Sequence, residues 1–373
     1  MSGEQLDIQI IASIVAAACA MPGVFLVLRR MAMMSDAISH AILLGIVLAF
    51  FVVGDIASPL LIVGAALCGV FTVSLVELLN RTRIVKEDAS IGLVFPLLFS
   101  VGVILIARYA YNIHIDVDAV LLGELAFAPF DRIYVHGSDL GPVSVYVMGV
   151  ILLLNLGFIL VFYKELKLAT FDPGLAAALG FAPGLIHYGL MGLVSVTAVG
   201  AFNAVGSVLV VALMIAPPAA AYLLTDSLPR MILLSVLIGI LSAVAGFWAA
   251  ILIDANIAGS MAAVSGLIFF LVFLLAPERG LLAIAVRRAR QRREFAGRVL
   301  AIHLLNHEGT PEEARESDIA HVEETLRWNE GFASSVVGYS VRRGMILIEN
   351  GRLRLTDKGR EYAGKSVVEE FIV

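Results

Sequence analysis

An acidic and an imidazole side chain lie one helical turn apart inside an otherwise apolar stretch of the chain. Residues 35–41 read SDAISHA, so Asp36 and His40 occupy positions i and i+4 and share one face of a helix. A carboxylate oxygen and an imidazole nitrogen at this spacing suit Mn²⁺, Zn²⁺ or Fe²⁺. The same spacing also suits a structural hydrogen bond that holds two helices together, and the residues alone leave both interpretations open.

The composition places this pair in a membrane protein. The chain has 373 residues, of which 60% are hydrophobic and 15% are charged, and its mean hydropathy is +0.94. Soluble domains are about 45–50% apolar and about 25% charged, so the composition excludes a soluble enzyme, a disordered chain and a disulfide scaffold. Cys19 and Cys68 both lie in apolar runs, which argues against a cysteine metal site. An ionisable residue inside a membrane span is a candidate functional group, because its burial is costly.

The membrane spans can be counted from the apolar segments, since a spanning helix needs about 20 such residues. The candidate spans are residues 8–28, 33–53, 58–79, 91–109, 143–163, 185–202, 206–224, 229–253 and 257–276. Pro22 is expected to end the first helix early, and the tight turns leave eight or ten spans as alternatives. Lys and Arg collect in alternate loops, which puts the N-terminus outside and the C-terminal tail in the cytoplasm.

The tail has a different composition from the rest of the chain. From residue 290 onward it carries about half of the 26 Lys and Arg residues and of the 31 Asp and Glu residues. We therefore predict a transmembrane domain over residues 1–286 and a cytoplasmic domain over residues 287–373. Helices predicted at 294–307, 319–328 and 332–343 precede a hairpin around Asn350-Gly351 and a final helix, which is the order of a winged-helix domain.

Three features of the tail have competing interpretations. Its third helix offers only Arg342 and Arg343 as basic residues, so an interaction or regulatory role is favoured over DNA binding. His303, His307, Glu308 and His321 are candidates for a metal-sensing cluster, with solvated surface residues as the alternative. Residues 359–366 fit the P-loop pattern, but they read as part of a helix and few residues follow. We therefore expect no ATP site in this chain.

Four ordered motifs resemble the permease subunits of the manganese/zinc/iron ABC importers. They are residues 28–45, 83–92, 165–180 and 205–224, and the resemblance covers roughly residues 8–277. It implies an all-α polytopic permease of about 8–9 transmembrane helices, to which the winged-helix-like α+β domain is appended. It also implies a bacterial plasma membrane and no permanently bound cofactor. The implied partners are a cytoplasmic ATP-hydrolysing subunit, an extracytoplasmic metal-binding protein and a second permease copy or a paralogue.

The resemblance also implies roles for particular residues. In this family the Asp and His of the first motif hold the metal in transit, which here would be Asp36 and His40. The segment of residues 165–180 corresponds to the coupling helix that docks on the ATPase, which implicates Glu165, Phe171 and Asp172. An ordinary connector between two spans is the alternative for that segment.

Two further functions compete with the importer. One is a metal transporter driven by an ion gradient, which needs no ATPase. The other is a membrane-tethered, metal-responsive regulator whose tail binds nucleic acid.

A separate candidate metal site in the acidic outer segment consists of His114, Asp116 and Asp118, although this segment serves equally well as a docking surface.

Overall fold

A computed structural model of the chain describes residues 3–54, 58, 60–82, 84–109, 125–135 and 138–370. The chain divides into two compact units, Met1–Arg279 and Gly280–Val373. The helices of the first unit, in chain order, are α1 (Gly3–Leu28), α2 (Ala32–Val53), α3 (Leu60–Arg81), α4 (Glu87–Tyr109), α5 (Val143–Val161), the short α6 (Tyr163–Phe171) and α7 (Pro173–Ala178), α8 (Pro183–Val205), α9 (Ser207–Leu224), α10 (Leu228–Ile253) and α11 (Ile257–Leu275).

Nine helices within the described residues are long and apolar enough to cross a membrane. They are all the helices of the first unit except α6 and α7, which confirms the predicted polytopic helical fold. The tight turn expected before the seventh span consists of a single residue, Gly206, which separates α8 from α9. Its φ of +77° lies in the region that favours glycine, so this residue ends one span and allows the next to begin.

Helix α1 lies at the centre of the bundle. It packs against α5, α9 and α10, and 72% of its most apolar stretch is buried, compared with 22% for α5. The prediction that Pro22 ends this helix early is wrong, because α1 continues through Pro22 to Leu28. Proline lacks the N–H that normally bonds the carbonyl four residues earlier, so the main-chain oxygen of Ala18 needs another donor.

Asn155 on α5 supplies that donor. Its Nδ2 donates a hydrogen bond to the main-chain oxygen of Ala18 at 2.8 Å, and lies 3.0 Å from Thr197 Oγ1 on α8. The Asn155 side chain is fully buried. An unsatisfied carbonyl away from water costs several kcal/mol, so this contact explains how α1 tolerates Pro22, and it ties α1, α5 and α8 together.

Glycines allow close helix contacts at two interfaces. Gly23 on α1 lies against the main-chain oxygen of Met214 on α9, and a methyl group at this position would overlap that oxygen. Gly45 on α2 faces Gly64 on α3, where an added Cβ would come within 2.6 Å of the Gly64 oxygen. Small residues let helix backbones approach closely in membrane proteins. The two contacts fix α1 against α9 and α2 against α3.

A small hairpin precedes α5 and was not among the predicted elements. Strands β1 (Arg132–Val135) and β2 (Ser138–Pro142) pair antiparallel after a 3-10 turn. Arg132 bonds Asp7 at the start of α1 at 2.9 Å and Asp139 in β2 at 2.7 Å. The guanidinium group lowers the pKa of Asp139 below its usual value. This charged cluster anchors the hairpin to the N-terminal end of the central helix.

The C-terminal unit contains helices and one two-stranded sheet. Its elements are α12 (Leu281–His307), α13 (Glu313–Glu316), α14 (Ile319–Thr325), α15 (Glu330–Arg342), β3 (Ile346–Glu349), β4 (Arg352–Leu355) and α16 (Asp357–Glu370). The strands pair antiparallel through the turn at Asn350 and Gly351, both of which have positive φ. Leu300, Val336 and Ile346 belong to its hydrophobic core. The basic run of residues 287–293 lies inside α12, and the P-loop-like stretch lies inside α16.

Candidate functional site

Asp36 and His40 lie on one face of α2, as their spacing predicts. Oδ1 of Asp36 is 3.4 Å from Nε2 of His40, and the two side chains are 41% and 29% exposed, respectively. A strong charge-assisted hydrogen bond between such groups is about 2.7–2.9 Å long. The pair is therefore close enough to share a ligand, and the contact is too long to lock the two groups to each other.

The rest of α2 holds this pair in position. Ala37, Ile38 and Ala41 are buried, and Ile38 lies on the side of the helix opposite the pair. Ser35 Oγ donates to Met214 Sδ on α9 at 3.1 Å, and Ser39 Oγ donates to the main-chain oxygen of Ser35 at 2.9 Å. Because the buried side chains and the Ser35–Met214 contact fix the rotation of α2 about its axis, the face that carries Asp36 and His40 has a defined direction.

Aromatic rings of α4 border the histidine. The His40 ring stacks on Phe95 with centroids 5.7 Å apart, and it meets the edge of Phe99 at 5.9 Å. These contacts restrict the imidazole to a narrow set of orientations. The arrangement places one polar face, made of a carboxylate and an imidazole, next to an apolar wall.

Two protein ligands are all that this pair offers within the described part of the chain. No third His, Cys, Asp or Glu of those residues joins Asp36 and His40 at metal-binding spacing. His114, Asp116 and Asp118 lie outside the described residues. Among the described residues Asp36 and His40 thus offer an ion two of its ligands, and water molecules or groups of another chain can supply others. Such partial coordination suits an ion that must be released again.

The segment expected to couple to an ATPase forms two short helices, α6 and α7. Leu166 and Ala169 bury one face of α6, whereas Phe171 at its end is 61% exposed. Asp172 caps α7 by accepting a hydrogen bond from the main-chain N–H of Leu175 at 2.9 Å. Glu165 is half-buried on α6. The three predicted residues therefore lie on one segment. Asp172 caps α7, and Phe171 exposes an apolar ring.

A half-buried arginine connects this segment to the short connection that precedes α2, the helix that carries Asp36. Arg29 follows α1 directly, and its Nε donates to Thr170 Oγ1 on α6 at 3.1 Å. Its Nη1 lies 3.3 Å from Nδ1 of His187 on α8. Burial lowers the pKa of Arg29 to about 10, so the group stays charged at neutral pH. No pattern in the sequence predicts this link, because His187 on its own resembles a solvated residue at the membrane edge.

The histidines of the tail are brought together, but with a different carboxylate from the expected one. Glu308 accepts two short hydrogen bonds from Arg360, at 2.7 and 2.9 Å. The carboxylate that lies beside His303 and His307 is instead that of Glu316. The candidate Glu308 is therefore not part of the cluster, because the guanidinium group of Arg360 binds it instead.

Known proteins resemble this chain over most of its length. It is 46% identical to the zinc transport system membrane protein TroD of Treponema pallidum (strain Nichols), over 95% of this chain and 96% of the relative. It is 47% identical to the manganese transport system membrane protein MntD of Bacillus subtilis (strain 168), over 76% of this chain and 96% of that relative. The aligned part of TroD therefore reaches into the C-terminal unit.

A solved structure and a family model agree with these relatives. PsaBC from Streptococcus pneumoniae in complex with Fab matches with a TM-score of 0.63 and 28% identity, over 76% of this chain and 96% of that chain. The family model of the ABC 3 transport family matches residues 5–276. The resemblance inferred from the four motifs is thus confirmed, and the chain belongs to the ABC 3 transport family of membrane permeases.

Proposed function

We propose that this permease carries a divalent transition metal inward, driven by ATP that a separate subunit hydrolyses. The observation that carries the proposal is the Asp36–His40 pair on a partly exposed face of a membrane-spanning helix, with 3.4 Å between its two polar atoms. Intramembrane carboxylate and imidazole groups mark ion pathways. The metal passes this pair as cargo and is released on the cytoplasmic side.

The ligand types restrict the cargo to a small group of ions. One oxygen and one nitrogen ligand suit Mn²⁺, Zn²⁺ and Fe²⁺. The names of the relatives favour zinc or manganese, since TroD is a zinc and MntD a manganese transport protein. Water or a second permease copy completes the coordination. Because a path with few fixed ligands releases its ion readily, Asp36 and His40 form a transit site and no permanent cofactor site.

The partner that hydrolyses ATP docks on α6 and α7. This proposal rests on Phe171, which projects an exposed aromatic ring from a segment whose other face is anchored by Leu166 and Ala169. Glu165 lies on the same segment, and Asp172 holds the start of α7. Aromatic anchors of this kind dominate protein–protein interfaces. An extracytoplasmic protein delivers the metal, and a second permease copy or a paralogue completes the pathway.

The orientation in a bacterial plasma membrane follows from the loop charges. Basic residues precede or follow the same ends of successive spans, as at Arg29, Arg81, Lys167 and Arg230. Such charges favour the cytoplasmic side. The N-terminus is then outside and the C-terminal unit is in the cytoplasm, where we assign it a regulatory role as a winged-helix-like module. The order of its three main helices, hairpin and closing helix supports that assignment.

Metal uptake by a reconstituted transporter tests this function. Proteoliposomes hold this chain with its ATPase subunit, and the assay follows radioactive Mn²⁺, Zn²⁺ and Fe²⁺ with the delivering protein present. The proposal predicts uptake of at least one ion that requires hydrolysable ATP and persists when proton and sodium gradients are collapsed. Uptake that needs a gradient and ignores ATP would establish the gradient-driven transporter instead.

A further inference from the structure

Three potential metal ligands converge in the C-terminal unit. His303 and His307 lie one turn apart on α12, with ring centroids 4.9 Å apart. Glu316 ends α13 and turns back toward them. One ligand atom from each of the three residues lies within 4.8 Å of the other two. Nε2 of His303 is 3.4 Å from Oε2 of Glu316, close to the spacing of about 3.3 Å between two ligands of a tetrahedral zinc ion.

The carboxylate of Glu316 is held so that one of its oxygens points into this group. Oε1 bonds Nε2 of His321 at 3.0 Å. Oε2 is buried and has no hydrogen-bond partner among the described residues. The Glu316 side chain is 14% exposed, and the His303 side chain is 10% exposed. Buried polar atoms are normally satisfied, so a carboxylate oxygen that accepts no hydrogen bond and lies beside two imidazoles indicates a place for a cation.

The surrounding fold keeps these groups in place. Leu304, next to His303, packs into the core of the unit. Ser317, next to Glu316, accepts a hydrogen bond at its main-chain oxygen from the N–H of Leu353 in β4, at 2.8 Å. His303 is thus fixed by the core and Glu316 by the hairpin. His307, the third residue of the group, also lines a cavity of about 340 Å³.

We propose that His303, His307 and Glu316 bind a divalent transition-metal ion, with His321 as the residue that positions Glu316. Two imidazoles and one carboxylate, with a fourth place open to water, form a donor set that zinc accepts in proteins. Zn²⁺ binds more tightly than Mn²⁺ at such a site. The ion links α12 to the segment before α14, so its binding stiffens the contact between α12 and the hairpin side of the unit.

Zinc binding to the full chain tests this site. The chain carries Asp36→Asn and His40→Asn, so that the membrane pair does not contribute, and it is equilibrated in detergent with buffered free Zn²⁺. We expect about one bound equivalent of zinc. Glu316→Gln and His303→Gln should each weaken binding at least about 100-fold, and His321→Ala about 10-fold, as expected for a residue that orients a ligand. Glu312→Gln, an exposed neighbour on the same segment, is the matched control and should bind as tightly as the parent.

Two further readouts separate lost ligands from lost folding. The melting temperature in excess chelator should be unchanged in Glu316→Gln, whereas the rise in melting temperature caused by zinc should disappear. Bound Co²⁺ should give a visible absorption spectrum typical of four-coordinate nitrogen and oxygen ligands, and that spectrum should be lost in His303→Gln. Absence of bound zinc in the parent, or unchanged binding in both ligand variants, would overturn the proposal. Because no transport is measured, these results stand whether or not the chain imports metal.

Discussion

Arg29 and Thr170 are hydrogen-bonded at 3.1 Å although they lie 141 positions apart in the chain. The bond joins the short connection between α1 and α2 to helix α6, where we place the ATPase. Since α2 begins at Ala32 and carries Asp36, very few residues separate this bond from the proposed transit site, and we expect a movement of α6 to reach that site through them. The same arginine also contacts His187 on α8, so three parts of the bundle meet at one guanidinium group.

Loss of the Arg29 side chain should uncouple ATP hydrolysis from transport. Hydrogen bonds to charged groups contribute about 1.5–3 kcal/mol, so Arg29→Ala should lower transport per ATP hydrolysed about tenfold. Thr170→Val removes one of the bonds and should have a smaller effect in the same direction. The measurement is metal uptake divided by ATPase rate in proteoliposomes. Arg30→Ala, which removes the same charge from an exposed neighbour, is the control and should leave transport per ATP unchanged. If both variants lower transport per ATP equally, the effect comes from the charge of the loop and not from the Arg29 hydrogen bonds.

The bond from Asn155 to Ala18 should stabilise the fold more when residue 22 is proline than when it is not. Asn155→Leu leaves the Ala18 oxygen unpartnered and should destabilise the fold by about 1–3 kcal/mol. In a chain with Pro22→Ala, residue 22 regains an N–H that can satisfy the same oxygen, so Asn155→Leu should cost less there. Thermal unfolding of the four combinations in detergent gives this coupling as a double-mutant cycle. Additive effects would show that Asn155 does not compensate for the proline.

Phe171 should anchor the ATPase subunit. Truncation of an aromatic anchor costs at least about 2 kcal/mol at many interfaces, so Phe171→Ala should weaken binding of the ATPase at least about tenfold. Affinity measured with the purified permease in detergent checks this. Leu252 on α10 is 83% exposed, and Leu252→Ala controls for the general loss of an exposed apolar side chain. If both variants bind the ATPase as tightly as the parent, Phe171 is not part of the interface.

Local patterns could be predicted from the sequence and long-range partners could not. The nine spans follow from runs of apolar residues, and the Asp36–His40 face follows from i,i+4 spacing, because both are properties of a single helix. The same is true of the turn at Asn350-Gly351. By contrast, Asn155 and Ala18 come into contact only through the packing of two helices. Without that contact in view, Pro22 predicts a helix end that does not exist.

The histidine cluster of the C-terminal unit shows the same limit of prediction from sequence. The i,i+4 spacing predicts that His303 and His307 are neighbours on one helix, and Glu308 follows them directly in the sequence. The structure pairs Glu308 with Arg360 and brings in Glu316 from another segment. Which of the two glutamates lies beside the histidines depends on where cationic side chains from distant parts of the chain are placed. No periodicity in the sequence predicts those positions.

The most direct test of metal transit at Asp36 and His40 is ATP-dependent uptake by Asp36→Asn, which keeps the size and hydrogen-bonding capacity of the side chain but loses its charge. If Asp36 holds the cargo, uptake per folded permease should fall at least about 100-fold, as should that of His40→Asn, whereas binding of the ATPase should be unchanged. Met33→Ala, on an exposed part of the same helix, should transport normally. Full uptake by Asp36→Asn would contradict transit at this pair and would leave it as a structural hydrogen bond between side chains of α2.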